Sequence, residues 1–181
     1  MRYALNHHAI CYVSNKYEGL SPYLGKPFEH SKVFFTSLAE ALNSCGAEHM
    51  SSRVTLVVDD TKQFLIPNSF LAPKRVRDVE VIGAFNGATI VGNLGAGPHN
   101  FNITLRNIVF DFDHFGDCSM GLALNWEVRN CTFISRKPSQ CEVMIAAHSN
   151  SSVVFTGVVF IGNSGVAKIT DAMSPVAYKS Y

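Results

Sequence analysis

The densest group of chemically capable side chains lies at residues 111–117. This stretch reads Asp-Phe-Asp-His-Phe-Gly-Asp, so Asp111, Asp113, His114 and Asp117 follow directly after a strand-like run. In an extended chain, Asp111 and Asp113 point to the same side. Such a group suits Ca²⁺ binding or acid–base hydrolysis of a glycoside. Asp and Gly are equally ordinary in a solvated turn, and a calcium site needs more oxygen ligands, so we assign no catalytic residue and no metal site.

One basic cluster precedes the middle of the chain. Lys74, Arg75 and Arg77 surround a single valine, and their charges suit contact with an anionic glycan or a phosphate. The simpler interpretation is a solvated turn. A His-His pair at residues 7–8 is a metal-binding candidate, but its place near the N-terminus favours a mobile arm. The later glycines form no GxGxxG motif and no helix follows them, so no cofactor is expected.

The cysteines predict no zinc site and no thioredoxin-type motif. There are five, they are widely spaced, and no CxxC pair occurs among them. An odd number with these spacings favours reduced thiols that are mostly buried as small apolar residues. A disulfide between Cys131 and Cys141 is the alternative.

Composition excludes several classes of protein. Of the 181 residues, 47% are hydrophobic and 16% are charged, whereas charged residues usually make up about 25%. So apolar a chain is not disordered, and a net charge of +1 leaves no excess of positive charge for nucleic acid. No apolar run is long enough to span a membrane. The N-terminus lacks the apolar core of a signal peptide, which favours a cytoplasmic or virion-associated protein over classical secretion.

The pattern of apolar residues predicts one helix and many short strands. Residues 1–30 have weak periodicity and are expected to form an irregular arm, with one short strand at Ala9–Val13. A Thr-Ser pair, a glutamate after it and a one-sided apolar pattern predict a helix over residues 34–45. Strand-like segments separated by turns follow this helix as far as residue 170.

A repeat organises these strands. Arg-Asn-x-x-Phe occurs at residues 106–110 and again at residues 129–133, and a related unit ends at Phe160. The three aligned phenylalanines, including Phe110 and Phe133, are 23 and 27 residues apart. A period of this length with several strands per unit is typical of a solenoid. We therefore expect these rings to stack inside successive coils.

The small and amide residues of the repeat predict its bends. Asn107 and Asn130 are expected at a sharp bend, because asparagine tolerates a left-handed backbone and its amides form ladders. Gly83 and Gly157 are expected to play the same conformational role. The pattern predicts an all-β fold, a single-stranded right-handed parallel β-helix with an N-terminal capping helix, and a β-sandwich is the alternative. The predicted organisation is one domain over residues 1–181, with coils at 53–170 and a C-terminal tail at 171–181.

The region from Phe34 to Ile169 resembles the right-handed parallel β-helices of the pectin lyase-like superfamily. The resemblance rests on the helix Ser-Leu-Ala-Glu-Ala-Leu, on Asp-Val-Glu-Val-Ile-Gly with Ala-Thr-Ile-Val-Gly after it, and on Asn-Ile-Thr-Leu-Arg-Asn-Ile-Val-Phe. It covers about three quarters of the chain and is similar to the coil pattern of pectin methylesterases. It implies a fold more than an activity, because the superfamily includes enzymes, adhesins, tailspikes and capsid-associated proteins.

The departures from that family decide the functional hypothesis. Val158 and Val159 stand where pectin methylesterases carry a catalytic aspartate, and the polygalacturonase motifs are missing. The first hypothesis is therefore a non-catalytic structural or attachment protein, for example in a virus or phage particle, rather than an enzyme. The alternative is a lyase, hydrolase or binding module for acidic polysaccharide. Low charge leaves apolar side surface, which predicts a homo-oligomer such as a trimer, or a larger assembly.

Overall fold

The computed structural model is a parallel β-solenoid of about three turns, preceded by a helix. This confirms the predicted fold class and excludes the β-sandwich. The structure describes residues 8–17, 34–48, 52–59, 62–65, 72, 74–84, 87–92, 101–112, 119–135, 143–147, 152–162, 167–171 and 178–180.

The described part of the chain contains one helix and sixteen short strands. A short 3₁₀ turn covers Asn15–Tyr17, and the helix α1 covers Leu38–Glu48. In chain order the strands are β1 (His8–Val13), β2 (Phe34–Phe35), β3 (Arg53–Val58), β4 (Lys62–Leu65), β5 (Asp78–Gly83), β6 (Ala88–Gly92), β7 (Asn102–Arg106), β8 (Ile108–Asp111), β9 (Ser119–Ala123), β10 (Trp126–Arg129), β11 (Thr132–Ser135), β12 (Val143–Ala147), β13 (Val153–Thr156), β14 (Val159–Gly162), β15 (Ala167–Asp171) and β16 (Tyr178–Ser180).

These strands form three parallel sheets that run along the solenoid. The eight-stranded sheet has the order β16-β13-β10-β7-β5-β3-β1-β2, the five-stranded sheet β14-β11-β8-β6-β4, and the three-stranded sheet β15-β12-β9. Three successive coils give one strand to each sheet, namely β7-β8-β9, β10-β11-β12 and β13-β14-β15. Because each coil repeats the one before it, a residue lies beside its equivalent about 4.8 Å away in the next coil.

Apolar side chains in register fill the interior. From the eight-stranded sheet, Leu56, Val81, Leu105, Val128 and Phe155 occupy equivalent positions in consecutive strands, and all are buried. Leucine, valine and phenylalanine alternate inward along these strands while polar residues alternate outward. Many of the hydrophobic residues of the chain therefore lie in one narrow core inside the solenoid.

The aligned phenylalanines stack as the repeat predicts. The ring centroids of Phe110 and Phe133 lie 5.2 Å apart, and those of Phe133 and Phe160 lie 5.3 Å apart. The ring planes are within 11° and 15° of parallel. Phe110 and Phe133 are fully buried, whereas Phe160, the last ring of the stack, is only partly buried.

The bends between the eight-stranded and five-stranded sheets confirm the backbone conformation predicted for both asparagines and for Gly157. The same prediction was wrong for Gly83. Asn107, Asn130 and Gly157 all have positive φ values, at 55°, 50° and 61°. Gly83, predicted to share this conformation, is absent from the residues with positive φ, and Gly87 has φ 92° instead. Gly83 is required because a Cβ there would collide with the carbonyl oxygen of Asn107 and lie 2.7 Å from the Ala88 nitrogen.

The N-terminal end of the solenoid is capped as expected, with shifted boundaries. The predicted strand is observed as β1, and it pairs in parallel with β3 along six residues. The helix starts at Leu38 rather than residue 34, because Phe34 and Phe35 form β2, and it packs against β1 and β3. The Ser37 hydroxyl accepts the Glu40 N–H at 3.5 Å. No helix in the described ranges is long and apolar enough to cross a membrane.

The prediction that the cysteines are reduced thiols was wrong for two of them. Cys11 in β1 and Cys45 in α1 form a disulfide, and both are fully buried. The fold brings them together because α1 packs across β1, although 34 positions separate them in sequence. Cys131 is a buried free thiol, in agreement with the favoured interpretation and against its pairing with Cys141. Cys118 and Cys141 themselves lie outside the described residues.

The predicted C-terminal tail contributes a further strand. Tyr178–Ser180 form β16, which pairs in parallel with β13 and extends the eight-stranded sheet. The eight-stranded sheet therefore continues one strand beyond the coil that contains β13, β14 and β15.

Candidate functional site

The structure describes only one of the four residues of the predicted acidic cluster. Asp111 ends β8, is half-buried, and lies in register with Val91 and Ile134 on the outer face of the five-stranded sheet. Its neighbours Phe110 and Phe112 point inward, so the expected alternation is observed. Asp113, His114 and Asp117 lie outside the described residues. The described residues contain no group of three His, Cys, Asp or Glu side chains arranged to hold a metal ion.

The predicted basic cluster lies at the turn that leads into β5. Lys74, Arg75 and Arg77 are exposed, and the buried Val76 anchors the turn to the core. The backbone of Arg77 belongs to the coil framework, since its N–H donates to the Ser52 carbonyl oxygen at 2.7 Å. These three cations are therefore presented to solvent from a fixed backbone.

A different polar cluster lies on the outer face of the eight-stranded sheet, centred on Glu80. This carboxylate is largely buried and accepts the hydroxyl hydrogen of Thr55 at 3.1 Å. The Arg53 guanidinium donates to the same oxygen at 3.4 Å, and Arg106 Nε lies 3.2 Å from the other oxygen. Arg106 Nε has no aligned hydrogen bond, so this second contact is an ion pair without a hydrogen bond. Two cations thus converge on one anion.

A histidine extends this cluster at the N-terminal end. His8 Nε2 lies 2.8 Å from the Thr55 hydroxyl oxygen. That hydroxyl has one hydrogen, which it donates to Glu80, so it can only accept from the imidazole. His8 therefore carries its proton on Nε2, and a continuous chain of hydrogen bonds runs from its ring to the buried carboxylate.

Further charges continue the cluster toward the C-terminal coils. Arg106 and Arg129 are direct neighbours in the register of β7 and β10, so their side chains lie on the same face in adjacent strands. Arg129 forms an ion pair with Glu127 of its own strand. The guanidinium-bearing side chains of Arg53, Arg106 and Arg129 remain about half exposed. The cluster of Arg53, Glu80, Arg106, Glu127 and Arg129 has a net charge of +1.

A separate polar ladder runs along the N-terminal ends of the same strands, at their first residue or the residue before it. Asn102 Nδ2 donates to Asp78 at 2.7 Å, and Asn125 Nδ2 donates to Asn102 at 2.8 Å. Asn125 Oδ1 then accepts from the backbone and hydroxyl of Ser152 at 2.9 and 3.1 Å. Each bond joins adjacent coils, so this ladder stabilises the stacking.

The free thiol of Cys131 is suited to packing and not to nucleophilic chemistry. Burial raises its pKa from 9.0 to about 11, and hydrogen bonds with the backbone of Ile108, Arg129 and Asn107 only partly oppose that rise. Because the thiolate is the reactive form, Cys131 stays protonated and inert at neutral pH.

Sequence reasoning missed the Glu80 cluster, although a signal existed. Thr55, Glu80, Thr104 and Glu127 occupy the same position in four consecutive coils. Aligning the first two coils on the later repeat would have revealed this polar row on the outer face of the eight-stranded sheet. The contacts of His8 and Arg106 with that row depend on the stacking register and could not be found this way.

No protein family, no curated protein and no solved structure matches this chain.

Proposed function

We propose that this chain is a non-catalytic structural or attachment protein that works through lateral assembly. The observation that carries the proposal is the outer face of the five-stranded sheet. Phe64, Val159 and Ile161 are 66%, 51% and 43% exposed there, and Val109 and Ile134 are half-buried on the same face. These apolar side chains share the face with Asp111, Thr89 and Thr132. Exposed apolar side chains grouped on one face are typical of protein interfaces. In its more specific form, the proposal is that the protein is a component of a virus or phage particle and is related to the pectin lyase-like superfamily.

Mutation of that face tests the proposal. Val109→Lys places a charge at its centre, beside Thr89 and Thr132, without touching the interior. We expect the weight-average molar mass of the wild type, measured by light scattering, to rise with concentration through lateral association, and that of the variant to be lower at equal concentration. The matched control is Thr104→Lys on the outer face of the eight-stranded sheet, whose molar mass should equal that of the wild type. Equal association of all three proteins would contradict lateral assembly.

An activity assay tests the non-catalytic part of the proposal. Incubation with polygalacturonate and related glycans is expected to give no products. Turnover that Asp113→Ala abolishes would overturn it and favour the enzyme hypothesis with Asp111, Asp113, His114 and Asp117 as its catalytic group.

Binding of acidic polysaccharide is a second candidate, and the arginine row favours it. Arg106 and Arg129 present half-exposed guanidiniums on the adjacent strands β7 and β10, and Arg53 adds a third from β3, on the other side of Glu80. Such an arginine row suits a chain of carboxylates. Exposed Tyr12, stacked on Phe34 with ring centroids 5.5 Å apart, offers an aromatic surface on the same sheet. The low net charge of the whole protein argues for weak binding.

Affinity electrophoresis in polygalacturonate gels tests this candidate. Arg129→Gln should reduce retardation several-fold at low salt, and added salt should abolish it. Lys62→Gln, which removes an exposed cation on the five-stranded sheet outside both basic clusters, serves as the control. Equal retardation of both variants and the wild type would exclude the arginine row as a binding site.

A further inference from the structure

Two asparagines occupy equivalent bends but use their side chains differently. Asn107 and Asn130 have φ values of 55° and 50°, and the backbone N–H of each donates to a carbonyl oxygen of the next coil. Asn107 is half-buried, and its Nδ2 donates to the Gly83 carbonyl oxygen at 2.9 Å. Asn130 is exposed, and its Nδ2 has no hydrogen-bond partner among the residues that the structure describes. The amide nitrogen of Asn130 is therefore accessible from solution.

The oxygen of the same amide is engaged with the next coil. Asn130 Oδ1 lies so close to Gly157 that a Cβ on that glycine would collide with it. Since the oxygen and nitrogen of a planar amide diverge from their shared carbon, Nδ2 points away from Gly157. A group attached to Nδ2 would leave this contact and the bend intact.

The residues after Asn130 complete a modification sequence. Residues 130–132 read Asn-Cys-Thr, which is the Asn-x-Thr acceptor of an N-linked glycan, whereas Asn107 is followed by Ile-Val. Cys131 points into the core, and Thr132 is half-buried on the outer face of the five-stranded sheet. The acceptor asparagine thus lies on the surface, at the corner between two sheets.

A second acceptor sequence, at residues 102–104, lies in a different environment. Asn102 is half-buried, its Nδ2 donates to Asp78 at 2.7 Å, and its Oδ1 accepts from Asn125 at 2.8 Å. Because both ends of this amide belong to the ladder that joins adjacent coils, a glycan there would disturb the stacking. A third acceptor sequence begins at Asn150, which lies outside the described residues.

The disulfide between Cys11 and Cys45 is an independent observation that bears on the modification. Such bonds form and persist in oxidising compartments, among them the lumen of the endoplasmic reticulum, and are rare in the cytosol. Asn-x-Thr sequences are glycosylated in proteins that enter the secretory pathway. The disulfide and the exposed acceptor asparagine therefore point to the same compartment.

We propose that Asn130 is an N-glycosylation site. The donor is an oligosaccharide carried on a lipid pyrophosphate. A bond forms between Asn130 Nδ2 and C1 of the first sugar, the bond from C1 to the pyrophosphate oxygen breaks, and the lipid pyrophosphate leaves. Nδ2 gives up one of its two protons to a base of the transferring enzyme. This modification goes beyond the proposed assembly function and does not depend on it.

Secretion of the full chain from cultured eukaryotic cells, behind a cleavable signal peptide, tests the proposal. All proteins carry Asn150→Gln, so that the third acceptor sequence contributes nothing. Thr132→Val removes the hydroxyl that the acceptor sequence requires and leaves Asn130 unchanged, whereas Thr132→Ser keeps a hydroxyl. We expect intact-mass measurement to find one glycan on the parent and on Thr132→Ser, and none on Thr132→Val.

Enzymatic removal of the glycan locates the site. Peptide-N-glycosidase leaves an aspartate where the glycan was attached, and peptide mapping should find it at residue 130. Circular dichroism establishes that the secreted proteins are folded, and if a variant is retained in the cells, the lumenal fraction gives the same comparison. A parent without a glycan would overturn the proposal. A glycan that Thr132→Val retains and Asn102→Gln removes would overturn it as well.

Discussion

Single asparagines determine where the coil turns. Asn107 adopts a left-handed backbone with φ 55°, and its side-chain Nδ2 donates to the Gly83 carbonyl oxygen of the preceding coil at 2.9 Å. Few residues other than glycine adopt this backbone, and glycine cannot donate the side-chain hydrogen bond. The Asn130 Oδ1 lies so close to the Gly157 Cα that a Cβ there would collide with it. At each of these bends, an asparagine side chain therefore contacts the bend of an adjacent coil.

Substitution at Asn107 separates these two contributions. Asn107→Ala should cost about 2–3 kcal/mol, the sum of a left-handed backbone penalty of about 1–2 kcal/mol and a lost hydrogen bond of about 1 kcal/mol. Asn107→Gly loses the hydrogen bond without that penalty, so it should be the milder change. Urea denaturation measures both. Equal destabilisation by the two substitutions would mean that the bend relaxes when the side chain changes.

The raised pKa of Cys131 predicts a dependence of stability on alkaline pH. The unfolded thiol titrates near 9 and the folded thiol near 11, so the folded state holds its proton more tightly. The stability that Cys131 contributes is therefore fully present below about pH 9 and is lost as pH rises toward 11.

Over that interval the loss should reach about 2–3 kcal/mol, at about 1.4 kcal/mol for each pKa unit. Urea denaturation at several alkaline pH values measures it, and Cys131→Ala should lack this component. An identical pH dependence in the variant would show that other groups cause the loss.

Among the structural elements, the capping helix depends most on a contact that is distant in sequence. α1 lies against β1 and β3, and the Cys11–Cys45 disulfide fixes it there. A cross-link between residues 34 positions apart restricts the unfolded chain and stabilises the folded one by about 3–4 kcal/mol. The helix has only eleven residues, too few to be stable alone.

Removal of this disulfide is expected to lower the melting temperature substantially. The double variant Cys11→Ala, Cys45→Ala should melt earlier than the wild type, and dithiothreitol should not shift it further. The wild type should shift with dithiothreitol during unfolding, because both sulfurs are buried in the native state. A wild type insensitive to reductant at its melting temperature would contradict a stabilising disulfide.

At the scale of the whole molecule, stability should vary along the solenoid axis. In a solenoid each coil contacts only its neighbours, so an end coil lacks half of the contacts of a central one. The ring stack shows this difference, since Phe133 is fully buried between two rings and Phe160 is only partly buried. Local opening should therefore begin near β14, where Phe160 is only partly buried, rather than in the central coils.

Hydrogen exchange measured by mass spectrometry tests this gradient. At dilutions where the protein is monomeric, peptides containing β7 and β10 should exchange most slowly, and those containing β14 should exchange fastest among the five-stranded sheet. Local openings close to the ends explain that order. Uniform protection along the chain would show instead that the solenoid opens as one cooperative unit.

The sequence alone determined the coil. The spacing of Phe110, Phe133 and Phe160 and the asparagines before the first two fixed the solenoid, its core row and its bends, because these features repeat locally along the chain. Tertiary structure decided the contacts whose partners share no local pattern. The Cys11–Cys45 disulfide, the convergence of Arg53 and Arg106 on Glu80, and the crowding of Gly83 by Asn107 join residues from 24 to 34 positions apart. Those contacts depend on how coils and helix stack, and stacking register is a property of the folded chain.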